Sequence, residues 1–389
     1  MAFVVGMLAT GAFFLRAEAA IEDQGLPATY WQHPLPAQGS PPAGWPAIWR
    51  DLDPQACAKC HQKQFGDWKK SLHARAFSPG LVGQFPGFGV QGSNSCLNCH
   101  APLAEQKFSR DSQISEALRN LDKPPSLKRL PLRHAGVSCA SCHVRKWRRH
   151  GPPPSGSAKT GQFKGPAHGG FYATRAFEKS QFCAACHQFP QSAAINGKPL
   201  ENTLEEWKQS RFASEGIQCQ NCHMPDRRHE FKGIHDPEMT RSGLKFDVSR
   251  TKHGGELTIQ SIRIGHAFPT YVTPKILVEA EAVDGDAKIL RTWSWDIIRE
   301  VAFDGEWQEI RDERLMPGAS RRFLPESVPA NAQALIFRVK VIPDYFYKGL
   351  YRNLLGSDLK PEAANQIRKA LDQAGKNDYL LYEKKIKLL

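Results

Sequence analysis

All ten cysteines of this 389-residue chain fall into five copies of one pattern. They are CAKCH (Cys57, Cys60, His61), CLNCH (Cys96, Cys99, His100), CASCH (Cys139, Cys142, His143), CAACH (Cys183, Cys186, His187) and CQNCH (Cys219, Cys222, His223). Two thiols three residues apart can add to the two vinyl groups of one porphyrin, and the next histidine then meets the iron from the proximal side. C-x-x-C-H is the pattern of c-type haem attachment. Chance would supply about 0.01 copies in a chain of this composition, so five copies escape the weakness of most short motifs. Zinc ribbons use C-x-x-C pairs without needing a histidine behind each one. A disulfide framework accounts for an even cysteine count but not for five histidines. A thioredoxin-like redox pair would occur once, inside a βαβ unit. Five covalently bound haem c groups are therefore expected, with His61, His100, His143, His187 and His223 as iron ligands.

The sixth position of each iron needs a second ligand. Fourteen histidines less the five proximal ones leave nine. Beyond the first twenty residues only Met224, Met239 and Met316 remain as thioethers, and Met224 directly follows His223. Bis-histidine coordination is the expectation, which implies low-spin iron and lower potentials than His/Met ligation. The stretch CQNCHMPDRRHEFKGIHD adds His229 and His235 at six-residue steps behind His223. To return to its own porphyrin, six residues would have to span about 20 Å of extended chain. These two are expected to reach neighbouring haems, with return of one to its own haem left open.

The elements that position these groups divide the chain. Residues 1–19 have an apolar run at 2–15 and the small-residue site Ala17-Glu18-Ala19, as in a signal peptide without a basic start. The run is short for a membrane span, and no later segment is apolar for long enough to be one. Residues 20–50 are expected as an extended leader, 51–243 as the pentahaem domain, 244–345 as an antiparallel β-sandwich and 346–389 as C-terminal helices. The haem region, 57–223, has roughly one motif per 33 residues. Short helices, long loops and a core made of porphyrin rather than apolar side chains are expected there, with a surface loop at 151–170. LKFDVSR, ELTIQSIRI, KILVEAEAV, KILRTWSWDIIREV and ALIFRVKVI have the β-rich composition of strands. PEAANQIRKALDQAG and DYLLYEKKIKLL are expected as closing helices, the first with proline in its first turn.

At this point the motifs resemble a known group. DWKKSLHARAF around His73, HAGVSCASCH, SQFCAACHQF and LEEWKQSRFASEGIQCQNCHMP resemble segments of the tetrahaem electron-transfer cytochromes of ammonia oxidisers and of hydroxylamine-oxidoreductase-like multihaem cytochromes. CHMPDRRHEFKGIHDPEM followed by IGHAFPT is similar to multihaem cytochromes in which a β-sandwich follows the last haem. The resemblance implies distal-ligand roles for His73, His134, His229, His235 and His266. His168 in PAHGG is a sixth candidate, with a plain loop residue as the other reading. His33, His150 and His253 are expected at the surface.

The formal charge of +13 falls to about +8 once each oxidised haem adds about −1. Much of the basic excess can neutralise propionates, and the run Arg145-Lys146-Trp147-Arg148-Arg149 is read as solvated or propionate-facing. Cytochromes c mature outside the cytoplasm, so a periplasmic or otherwise exported protein is expected, with redox proteins rather than nucleic acid as partners and room for an oligomer. Two functions follow. One is an electron carrier with every iron six-coordinate. The other is an oxidoreductase with one open iron acting on a small nitrogen, sulfur or peroxide species. The absence of a C-x-x-C-K motif and the supply of six distal candidates for five irons favour the carrier.

Overall fold

The computed structural model describes residues 26–121, 130–252 and 254–388. The signal segment and His253 lie outside the described residues. The chain forms two compact units. The first takes in residues up to 186 together with 218–231 and 353–370, and the second 187–217, 232–352 and 371 onward.

The first unit is built from short helices, 3-10 turns and small β-ladders, as the crowding of motifs predicted. Each motif lies on or at the end of a short helix: Pro54–Ala58, Phe85–His100, Cys139–His143, Gln181–His187 and Cys219–His223. Local chemistry starts and breaks these helices. Asp53 caps the first by accepting the Gln55 N–H, with proline at the helix start. Gly89, at φ 61°, breaks the second ahead of its motif. The expected loop at 151–170 contains the strand Gly161–Phe163, which pairs with Phe171–Ala173, itself laid parallel to Arg148–Gly151.

This unit also has apolar clusters of its own, contrary to the expectation of a core made only of porphyrin. In one, Leu26, Tyr30, Trp31 and Leu35 pack with Leu103, Ala140, Val144 and Trp147. In the other, Phe77, Phe85, Leu97 and Ile114 pack with Ala363. The reason is that both clusters recruit chain from outside 57–223. The segment expected as an extended leader folds back in 3-10 turns at Ala28–Trp31 and Ala47–Arg50.

The second unit carries the antiparallel strands. Lys275–Val283 pairs with Ile289–Ile297 and Ala334–Ile342, and Tyr379–Lys387 adds to the far side of Ala334–Ile342. A second sheet orders Ser320–Phe323, Gly254–Ser261 and Leu244–Thr251. Alternate residues of Lys275–Val283 and Gly254–Ser261 are buried, the period-two pattern of a one-sided strand. Leu257 and Ile259 from one sheet share a core with Ile276, Val278, Phe337 and Val339 from the other, an arrangement consistent with a sandwich. Each such side chain contributes about 1.5–3 kcal/mol on burial.

Two strand expectations need correction. KILRTWSWDIIREV is two strands, Ile289–Ile297 and Arg299–Asp304, because Arg299 leaves the first sheet. Fully buried, it donates to the carbonyls of Pro199, Ile195 and Lys198 and to Glu309. DYLLYEKKIKLL, expected as a closing helix, is the strand Tyr379–Lys387. The edge of Ala334–Ile342 offers eight residues of register and overrides its helix-forming Leu and Lys content. Helices Tyr345–Leu355 and Pro361–Lys376 precede it as expected. No helix among the described residues is long and apolar enough to cross a membrane.

Candidate functional site

The residues of the motifs fit a porphyrin tethered by thioethers. No disulfide joins any of the ten cysteines. In the helical motifs, residues three apart share one helix face, so both thiols point to one side. The thiols of Cys57 and Cys139 lie beside one another, as do those of Cys183 and Cys219. Motif one therefore lies beside motif three, and motif four beside motif five.

Three of the five motif imidazoles are held in the ligand tautomer. His100 Nδ1 lies 3.1 Å from Ala76 O, His143 Nδ1 2.8 Å from His150 O, and His187 Nδ1 2.8 Å from Glu201 Oε1. A carbonyl or carboxylate oxygen can only accept here, so Nδ1 carries the proton and Nε2 holds the lone pair. This is the outer-shell bond that metal-bound histidines make. His143 is also stacked on Phe177, with ring centres 5.0 Å apart, and burial lowers its pKa to about 4.

Three of the distal candidates carry the same signature. Nδ1 of His168 faces Gly170 O at 2.9 Å, that of His229 faces Arg227 O at 2.9 Å, and that of His266 faces Ala267 O at 2.9 Å. Burial lowers the pKa of all three, and that of His134 to about 4, so each is neutral near pH 7 as a ligand must be. His229 lies 6.3 Å from His143 between ring centres. His168 and His229 both lie near His61. His73 packs on Phe231 at 4.4 Å and His134 on Phe77 at 5.2 Å. The turns that carry these two meet at Gly136, at φ 57°, where a Cβ would sit 2.5 Å from His73 O. Only glycine fits there.

His235 differs. Its Nε2, not its Nδ1, is bound, 3.1 Å from Asp344 Oδ1. Burial would raise the Asp344 carboxyl, but the His235 contact, with Asn377 and Lys348, brings it below the usual range.

Second-sphere groups fix the His229 and His266 segments. Asp67 accepts two bonds of 2.7 Å from Arg228 and one of 3.2 Å from the His229 N–H. Glu206 accepts from the Ala267 N–H at 3.0 Å and from Thr270 Oγ1 at 3.1 Å, and pairs with buried Arg314 at 2.9 Å. Sequence reasoning did not find these carboxylates, because their partners are far away along the chain. His33 and His150, expected at the surface, are buried. His33 is buried within the folded-back N-terminal segment itself, and His150 is wedged against Tyr30 and Tyr172 at 5.2 and 5.8 Å. The apolar run around Tyr30 and Trp31 was the available signal for that burial. Tyr30 also donates to Cys142 O at 2.6 Å.

Residues 56–144, spanning the first three motifs, match the family described as cytochrome c554 and c-prime. No curated protein matches the chain significantly. Among solved structures, the penta-heme cytochrome c552 from Thermochromatium tepidum superposes with a TM-score of 0.59 at 19% identity, covering 88% of this chain and 100% of that one. The narrower likeness to ammonia-oxidiser cytochromes is not confirmed by these matches. The five motifs, the family match over residues 56–144 and the shared fold are those of a multihaem c-type cytochrome.

Proposed function

We propose that this chain is an exported carrier of five covalently attached haems, each iron held by two histidines, that passes electrons between redox partner proteins. The ten motif cysteines would hold the porphyrins and the five motif histidines the proximal iron face. His73, His134, His168, His229, His235 and His266 are the candidates for the distal face. Bound haem iron supplies a one-electron ferric–ferrous couple. The protein's part is to fix the ligands, their tautomer and their surroundings.

The observation that carries this reading is the pair His143 and His229. Two imidazoles on opposite faces of one first-row metal, each bound at about 2 Å, have ring centres about 6 Å apart. These two rings are 6.3 Å apart, and each has its Nδ1 turned to a carbonyl. The separation supports them as the axial pair of the haem on the third motif. The thiol contacts of Cys57 with Cys139 and of Cys183 with Cys219 support electron exchange within two closely placed haem pairs. In the holoprotein, His229→Ala should keep the haem count at five and convert one haem from low to high spin by EPR. An unchanged low-spin spectrum would remove His229 from the pair.

One observation favours the second reading, an oxidoreductase with an open iron. Asp344 holds His235 by the nitrogen that His168, His229 and His266 keep for metal. Without His235 the six candidates become five, and no spare remains.

A further inference from the structure

Arg145 is 7% exposed, yet no described carboxylate forms an ion pair with it. Its Nε donates to Tyr30 O at 2.8 Å, and Nη1 donates to Ser141 O at 2.9 Å and Val144 O at 2.7 Å. Nη2 is buried and has no acceptor. The guanidinium lies over the rings of Tyr30 and Trp31, 4.2 and 5.0 Å from their centres. Two further buried atoms of this region also lack an acceptor, Trp31 Nε1 and Gln38 Nε2. Gln38 joins the group through Trp147, whose N–H donates to Gln38 Oε1 at 3.4 Å. Arg145 Nη2, Trp31 Nε1 and Gln38 Nε2 are donors only, while His150 Nδ1, also without a partner beside Tyr30, can donate or accept with its tautomer. A trapped water would answer a donor but would leave the buried charge of Arg145 uncompensated.

Nothing near at hand supplies the missing anion. Glu105 acts on Arg145 only as a distant charge, and its Oε1 is taken by the Gln38 N–H at 2.7 Å. A second cation, Lys107, donates to neutral acceptors, Asn94 O at 3.3 Å and Asn98 Oδ1 at 3.0 Å. Both cations lie near Cys186 of the fourth motif. The open cleft beside this cluster, about 450 Å³, is lined by Asp51, Asp53 and Glu105 against the single cation Arg50, a net negative lining that disfavours a soluble anion on its way in. An anion that arrives tethered to the protein does not meet that barrier.

We propose that Arg145, with the indole N–H of Trp31 and the amide of Gln38, receives a haem propionate, so that the N-terminal segment 26–38 is a wall of a haem pocket. The proposal rests on haem attachment at the five motifs and deepens it by assigning a site for the carboxylate. Its test uses the full-length holoprotein and the variants Arg145→Gln, Arg145→Lys and Trp31→Phe. Haem is counted by pyridine haemochrome, the couples are titrated spectroelectrochemically, and the propionate bending bands are read by resonance Raman. A wild-type chain without haem would overturn the functional reading itself. With haem retained, Arg145→Gln should shift one midpoint downward, because an uncompensated propionate favours ferric iron. The other midpoints should hold, and Arg145→Lys should restore most of the shift. Unchanged midpoints in a fully loaded Arg145→Gln protein would overturn the proposal. So would unchanged midpoints with loss of a spectral response to added phosphate, which would mark a site for a soluble anion. If Arg145→Gln does not mature, Trp31→Phe keeps the charge and decides the matter: a moved propionate band supports the site, and an unmoved one refutes it.

Discussion

Asp67 and Arg228 form a clamp whose loss should be felt at His229. Asp67 takes both Arg228 bonds at 2.7 Å and the His229 N–H at 3.2 Å. The carboxylate side chain is 7% exposed and the guanidinium 39%. An exposed ion pair contributes about 1 kcal/mol or less, while removing one partner of a fully buried pair costs about 3–5 kcal/mol. Removing the carboxylate of Asp67 leaves the His229 N–H without its acceptor, a loss of about 2 kcal/mol. That corresponds to about a 30-fold rise in the population of the released segment. Cyanide can bind an iron only after its distal histidine leaves. Asp67→Ala should therefore speed cyanide binding at one haem about 30-fold at neutral pH. Arg228→Met should do much the same, and the double variant little more. A change of less than about threefold in either single variant would refute the clamp.

Other consequences follow from particular contacts. Arg299→Met leaves Glu309 and three carbonyls without their buried donor and should cost about 3 kcal/mol in urea unfolding of the second unit, with a loss below 1 kcal/mol contradicting it. Burial alone would raise the Asp312 carboxyl, but Arg314 and Lys198 beside it hold it well below the usual range. A depressed folded value means the stabilisation is present above the ordinary carboxylate pKa and is lost as pH falls below about 4. Asp312→Asn should flatten that part of the acid-unfolding curve followed by near-UV circular dichroism, and an unaltered curve would count against it. Cys183→Ala together with Cys186→Ala should lower the haem count from five to four by pyridine haemochrome, whereas five retained haems would show that the fourth motif is not an attachment site.

The parts of this protein that depend on covalent spacing were legible in the sequence. Cys-x-x-Cys-His needs only neighbouring residues, so its five copies could be read directly, and the alternation in KILVEAEAV announced a strand. What depends on distant partners was hidden. His33 and His150 look like exposed polar residues until the N-terminal segment folds onto the third motif. The engagement of His235 by Asp344 joins positions 109 residues apart. DYLLYEKKIKLL has helix-forming content, and only the edge strand it meets makes it a strand. Arg145, inside a run read as solvated or propionate-facing, is buried together with Trp147, while Lys146 and Arg148 on either side of Trp147 stay exposed.

The central claim is that five haems are bound and that histidine occupies both faces of each iron. The direct test is a haem count per chain with an EPR spectrum of the oxidised protein. Five haems, all low-spin, are the result this account predicts. A high-spin signal from one haem in five would contradict the carrier and mark an open iron, and fewer than five haems would contradict the attachment sites themselves.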